Sequence, residues 1–338
     1  MNSENQRSAS LRAWLNSIPS VAGASIAPAS ADASFRRYFR LTLPDGSTRI
    51  VMDAPPAHED CGPFIRIANL LTEVGLNAPL CAEFNEAEGF LLLSDLGSET
   101  FLQRLTAAPD QAAVLYPQAL NALASAQANI SNHATVLPPY NENLLQQEMG
   151  LFRDWLLAEH LAVHLDKATA ARLQQQFDLL AESALAQPTA FVHRDYHSRN
   201  LMVGEDGRPG ILDFQDAVSG PVTYDAVSLL RDCYISWPDR QIYDWLRTYY
   251  QTLREHGLVA VDFEKFARWF DLMGVQRHLK AAGIFCRLLH RDGKDGYMGD
   301  IPRTLNYVLR VTDRYRELRP LHDIVNTYCS KPFGLLND

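Results

Sequence analysis

The period of the apolar pattern changes near residue 97, and that change restricts the chain to folds that segregate strands from helices. Before it, short apolar runs of strand length dominate. Residues 34–43 (SFRRYFRLTL) and 48–54 (TRIVMDA) flank the turn signal Asp45-Gly46-Ser47 and read as a hairpin, while LCAEFN and GFLLLSDL read as two further strands. One helix interrupts them at 63–74, where Ile67, Leu70, Leu71 and Val74 recur at helical spacing. Another precedes them on Leu11, Trp14, Leu15 and Ile18, and stops at Pro19. After the change, 99–106, 110–131, 141–162, 167–187, 222–235, 238–256, 261–290 and 301–318 have helical character. A single strand-rich island, 189–213, returns among them. The pattern predicts an α+β chain. A small β-rich lobe spans residues 1–97 with a hinge at 94–97, and a larger, mainly helical lobe spans 98–338.

Bulk properties narrow the function classes. A length of 338 residues exceeds what one core usually holds, in keeping with two lobes. The net charge of -9 makes nucleic acid a poor partner. No apolar run approaches about 18 residues, so no membrane span is expected, and the N-terminal stretch lacks the basic and apolar regions of a signal peptide. A cytoplasmic location and a monomeric state are the expectations. Cys61, Cys81, Cys233, Cys286 and Cys329 are scattered without CxxC spacing, which predicts reduced thiols rather than a disulfide framework or a zinc knuckle.

The island carries the chemistry. It reads TAFVHRDYHSRNLMVGEDGRPGILDF over 189–214. Asp206-Gly207 is a hairpin signal, and a turn centred there places Asn200 opposite Asp213, with Asp195 on the loop that leads in. One catalytic hairpin, 191–214, then gathers an aspartate, an asparagine and a second aspartate at one rim. Such oxygen ligands suit Mg²⁺, which binds few protein groups beside substrate phosphates. Asn200 and Asp213 are the candidate metal ligands, and Asp195 is the candidate catalytic base for an attacking hydroxyl. The protein-kinase spacing H-R-D-x-x-x-x-N, followed by a strand and D-F, is matched by His193, Arg194, Asp195, Asn200, Asp213 and Phe214. His193 is expected to order the loop. It and His197 sit on a hairpin rather than on one helical face, so a zinc pair is not expected.

These motifs resemble those of the aminoglycoside phosphotransferase and choline kinase group, small-molecule kinases with a protein-kinase-like two-lobe fold. The resemblance spans nearly the whole chain. SFRRYFRL at 34–41 is similar to that group's nucleotide-loop strand, and LLLSDLG at 91–97 to its hinge. FVHRDYHSRNLMV and GILDFQDAVSGPVTYDAVSLLRDC are similar to its catalytic and metal segments. The resemblance implies ATP and Mg²⁺ as cofactors, nucleotide contacts at Ser34, Phe35, Arg36, Arg37, Met52, Asp95 and Leu96, and a bracing role for Asp225. Met52 stands in IVMDA where kinases of this fold usually carry a phosphate-binding lysine. Arg36, Arg37 or Arg40 can supply the missing cation, as can Mg²⁺ with backbone N–H groups. The same departure leaves a non-catalytic nucleotide-binding module as an alternative.

Within the group, RRYFR, VMDAPP and GVQRHLKAAGIFCRLLHRDGK resemble the bacterial kinases that phosphorylate cell-wall amino sugars on the anomeric hydroxyl. This implies N-acetylmuramate or N-acetylglucosamine as acceptor, a sugar 1-phosphate as product and a place in peptidoglycan recycling. A guanidinium is the natural clamp for the lactyl carboxylate of N-acetylmuramate. Arg277, Lys280, Ile284 and Arg287 recur at three- and four-residue spacing on one helical stripe. Glu148, in a helix rich in apolar residues, is a candidate for sugar hydroxyls. His197, Arg199, Gln215 and Asp216 flank the catalytic and metal residues and are further acceptor candidates. Other hydroxyl acceptors (an aminoglycoside, choline, homoserine, thioribose) stay open. The basic stripe weighs against the cationic ones, and the net charge of -9 weighs for them.

Overall fold

The computed structural model describes residues 3–31, 35–130, 137–204 and 207–335. Ser34 of the expected nucleotide loop and Asp206 of the expected turn lie outside them. The chain divides into two compact units, Met1–Glu99 with Met202–Asp216, and Thr100–Leu201 with Ala217–Asp338. Segment 202–216, expected with the helical lobe, therefore belongs to the first unit.

The first unit holds α1 (Ser3–Asn16), β1 (Ser25–Ala31), β2 (Arg37–Thr42), β3 (Thr48–Asp53), α2 (Cys61–Glu73), β4 (Cys81–Asn85) and β5 (Phe90–Ser94). Its sheet is antiparallel in the order β1-β2-β3-β5-β4. The β2–β3 turn forms because Gly46 takes φ +85 and the Asp45 carboxylate accepts the Ser47 N–H at 2.9 Å. Helix α2 starts where Asp60 caps the Gly62 N–H at 2.8 Å. Leu11, Leu15 and Ile18 of α1 pack on Val51, Phe90 and Leu92 of the sheet. Strand β1 was not foreseen. Its sequence, SIAPASA, has little β propensity, and Pro28 is tolerated because β1 is an edge strand with a register shift between Pro28 and Ser30.

The second unit holds α3 (Phe101–Ala107), α4 (Ala112–Ile130), α5 (Glu142–Leu151), a π-helical stretch Phe152–His160, and α6 (Lys167–Leu185). The strands of the island follow: β6 (Thr189–Val192), β7 (Leu201–Met202), β8 (Gly210–Ile211) and β9 (Val218–Pro221). They pair as two short ribbons, β6 with β9 and β7 with β8. The second unit then continues with α7 (Tyr224–Leu230), α8 (Asp239–Glu255), α9 (Phe263–Asp292), α10 (Ile301–Arg314) and α11 (Arg319–Phe333). Helix α9 is its axis. It is capped by Asp262 on the Lys265 N–H at 2.8 Å, buried almost continuously from Phe266 to Cys286, and packed against α5, α6, α7 and α10. Among the described residues no helix is long and apolar enough to cross a membrane.

Candidate active site

In the second unit, β6 leads directly into the loop His193–Asn200. Two buried aspartates hold that loop by its backbone. Asp225, in the first turn of α7, accepts the N–H groups of His193 at 2.6 Å and Arg194 at 3.0 Å. Asp232, two turns further on in sequence, accepts the Ser198 N–H at 2.9 Å and its hydroxyl at 2.5 Å. Burial pushes Asp225 up to about 7, against the pull of the two N–H donors. The loop also closes on itself. The Asp195 carbonyl accepts the His197 N–H and the Asn200 side-chain N–H, both at 3.0 Å, and His193 Nδ1 accepts the Asp195 N–H at 3.2 Å. Arg194 adopts φ +79, an uncommon conformation for a bulky residue, and these bonds hold it there.

Glu148 of α5 is the hub behind the loop. Oε1 accepts Arg194 Nη2 at 2.5 Å and Lys280 Nζ at 3.0 Å, and Oε2 accepts Gln276 Nε2 at 3.1 Å and the Tyr140 hydroxyl. Four donors fill the lone pairs of a carboxylate that is 4% exposed, so none is left for a sugar hydroxyl. The expected acceptor contact at Glu148 is thereby corrected: the residue braces the loop. Burial alone would raise its carboxyl, but Lys280 and Arg194 outweigh burial and hold it below its ordinary value. Asp195 follows the same logic. Burial opposes its charge, and Lys280, then His197 and Arg277, more than compensate, so the carboxyl stays ionised. The Lys280 ammonium also donates to the Tyr224 hydroxyl at 2.9 Å.

The other acceptor candidates of this unit separate. Arg199 is exposed and lies 3.7 Å over the Tyr234 ring and 5.4 Å from that of Tyr297. His197 packs edge-on against Tyr234, and burial lowers its pKa against the attraction of Asp232 and Asp195. Arg277 is 5% exposed, deep in α9. Arg287 lies ten residues on, about 15 Å along a helix axis, half-buried and with its charge disfavoured by burial and by Arg291. The expected stripe is thus no single clamp.

In the first unit, Asp213 follows β8 in a left-handed conformation, φ +62, and accepts the Gln215 side-chain N–H at 2.8 Å. Gln215 orders the carboxylate, and Asp216 is exposed. Phe214 is fully buried against Phe64 of α2, ring centroids 5.0 Å apart. Of the expected nucleotide contacts, Phe35 is 64% exposed and stacks on His58 at 4.4 Å. Arg36 faces Glu59 at 3.4 Å. Arg37 bonds the fully buried Asp53 at 3.0 Å through Nε, beside Arg7 at 2.7 Å. Met52 is 1% exposed, paired across the sheet with Tyr38 and Leu91, so its side chain is core and offers no surface to a nucleotide. The Asp95 carboxylate is engaged by Arg40 at 2.6 Å and by the Gly97 N–H at 3.0 Å, and Leu96 beside it is half-buried. Asp95 and Leu96 can therefore meet a nucleotide only through main chain and apolar surface.

Asp232, Lys280, Tyr140 and Gln276 had not been assigned bracing roles from sequence. Only Asp232 left a signal, since it lies seven residues after Asp225, two helical turns away.

Known proteins resemble this chain in sequence and in fold. The sequence profile of the phosphotransferase enzyme family matches residues 25–259. An N-acetylmuramate/N-acetylglucosamine kinase of Pseudomonas aeruginosa is 46% identical over 96% of this chain and 97% of its own length. A protein of the same name from Neisseria meningitidis serogroup B is 42% identical over 95% of each chain. Among solved structures, a spectinomycin phosphotransferase in complex with ADP and spectinomycin aligns with a TM-score of 0.59 at 12% identity, over 92% of this chain and 96% of that one.

Proposed function

Since the chain belongs to the phosphotransferase enzyme family and is a small-molecule kinase, we propose that it transfers the γ-phosphoryl group of ATP to the anomeric hydroxyl of N-acetylmuramate and N-acetylglucosamine. The products would be sugar 1-phosphates, made in the cytoplasm for reuse in peptidoglycan synthesis. The observation that carries the reading is the state of Asp195: a half-buried carboxylate, kept ionised by Lys280, in a loop braced from two sides. A base so placed orients the acceptor hydroxyl and takes its proton as the phosphoryl group moves in line. An anomeric hydroxyl is more acidic than the other sugar hydroxyls, so a carboxylate of low basicity suffices.

The donor set fits Mg²⁺. Asn200, which donates its side-chain N–H to the Asp195 carbonyl, and Asp213, whose carboxylate accepts from Gln215, are each of the oxygen-ligand type that Mg²⁺ takes. When bound with the nucleotide, the ion would neutralise charge developing on the phosphates. The three arginines near the strand of Met52 each face a carboxylate, Arg36 that of Glu59, Arg37 that of Asp53 and Arg40 that of Asp95. The phosphate grip falls to one of these arginines or to Mg²⁺ with backbone N–H groups. The cationic surroundings of Asp195 favour neutral or anionic acceptors over aminoglycosides and choline. A non-catalytic nucleotide module is set aside because the curated relatives are kinases.

The test is a coupled ADP-release assay with both sugars, with ³¹P NMR of the product. Asp195→Asn should keep nucleotide binding and lose turnover by about 100- to 10,000-fold. Near-normal turnover in that variant, or phosphate on a hydroxyl other than the anomeric one, would sink the assignment.

A further inference from the structure

The two proposed acceptors differ by one charge, and the second unit holds a buried cation placed to read it. N-acetylmuramate is N-acetylglucosamine carrying a lactyl ether, so only the first brings a carboxylate. Arg277 is 5% exposed, yet no carboxylate among the described residues pairs with it. Its Nη1 reaches only the Cys233 sulfur at 4.0 Å, and its Nε is buried without a partner. Lys280, one turn along the same helix, shows the contrast: its ammonium is matched by Glu148 at 3.0 Å and Tyr224 at 2.9 Å. The charges of Asp195 and Asp232 favour that guanidinium without forming an ion pair with it, and an anionic ligand would give it the hydrogen-bonded partner it lacks.

A second orphan lies in the same neighbourhood. His197 Nδ1 is also buried without a partner, and the charge of Arg277 is felt both there and at Asp195. The Arg277 guanidinium sits 6.0 Å from the Tyr224 ring, whose hydroxyl bonds Lys280. An unmatched guanidinium N–H and an unmatched ring nitrogen thus stand beside the carboxylate proposed to meet the reacting hydroxyl. We infer that Arg277, with His197 beside it, is a carboxylate subsite that receives the lactyl group of N-acetylmuramate and sets the preference between the two sugars. This rests on the amino-sugar reading above. Arg287, about 15 Å along the helix, takes no part in it.

A substrate-by-variant cycle tests it. Wild type and Arg277→Met are assayed with N-acetylmuramate, its lactyl methyl ester and N-acetylglucosamine. For the wild type, esterification should raise KM by about 10- to 100-fold, the worth of a charge-assisted hydrogen-bonded pair. In Arg277→Met the acid and the ester should have the same KM; the readout is this acid-to-ester ratio, because loss of the Arg277 charge also acts on Asp195 for every substrate. Should that variant fail to fold, Arg277→Lys enters the same cycle and should lose part of the preference for the acid over the ester. Equal losses for all three substrates, or an acid-to-ester ratio that the substitution leaves unchanged, would overturn the subsite. A wild type that turns over none of the three overturns the amino-sugar reading instead.

Discussion

Glu148 and Lys280 set the electrostatics behind the catalytic loop, and each carries a prediction. Glu148→Gln keeps the shape but leaves Arg194 and Lys280 without their shared counter-charge. Removing one partner of a buried pair costs about 3–5 kcal/mol, which should appear in calorimetry as a large fall in Tm together with lost turnover. A Tm shift no larger than that of a surface substitution would refute the bracing role. Lys280 offsets burial at Asp195 more than any other charge. As the proposed base, Asp195 is active when ionised and its pKa is lowered, so kcat/KM of the wild type should show no acid limb on approaching pH 5 from neutrality. In Lys280→Met burial gains the upper hand and the limb should move upward into the measurable range. An unmoved limb would mean that Lys280 does not govern the base. The loop that carries Asp195 and Asn200 could be located in the sequence because its spacing is local. The role of Glu148 was not, because its partners come from 8 to 132 residues away in the chain.

At the scale of elements, one glycine fixes how α9 meets α5. A Cβ on Gly283 would fall 2.3 Å from the carbonyl carbon of Leu151 and 2.6 Å from the nitrogen of Phe152, where α5 gives way to the π-helical stretch. Backbone cannot yield as a side-chain tip can, so Gly283→Ala should separate the helices and cost about 1–3 kcal/mol. Lys280 and Gln276 lie on the same helix within two turns, so the substitution should also weaken the grip on Glu148 and lower kcat. Unchanged stability and activity would show that the contact relaxes freely. Helix periodicity made α2, α4, α6, α8 and α9 readable in the sequence. It missed α11, whose first turn holds Pro320 at a position where a helix accepts proline. It missed the π-helical stretch too, since a wider turn leaves no separate apolar period in nine residues.

For the whole molecule, two buried groups pull stability in opposite directions with pH. Asp225 has a folded pKa of about 7 against an ordinary 3.8, so it contributes stability at low pH that is lost as pH rises between those values. His278, buried between the Arg231 carbonyl at 2.8 Å and the Tyr307 ring, is pushed down to about 3 from 6.5, so its contribution grows with pH over much of the same window. Each is worth at most about 1.4 kcal/mol per pH unit, and in the wild type they offset. Calorimetry between pH 4.5 and 6.5 should therefore show stability rising with pH in Asp225→Asn and falling with pH in His278→Gln. Slopes of the same sign in the two variants would refute the balance. The division into a strand-rich and a helical part could be read from the change of apolar period, but the membership of 202–216 could not. Sequence order carried that segment with its helical neighbours, while its packing joins it to the sheet-bearing unit.

The pairing of Arg194 with Glu148 bears on control. In protein kinases an arginine cluster can wait for a phosphate added to the chain, and the loop is ordered only when that charge arrives. Here the charge is encoded in the gene, delivered by α5 as the chain folds. Ordering of this loop therefore waits on no added phosphate.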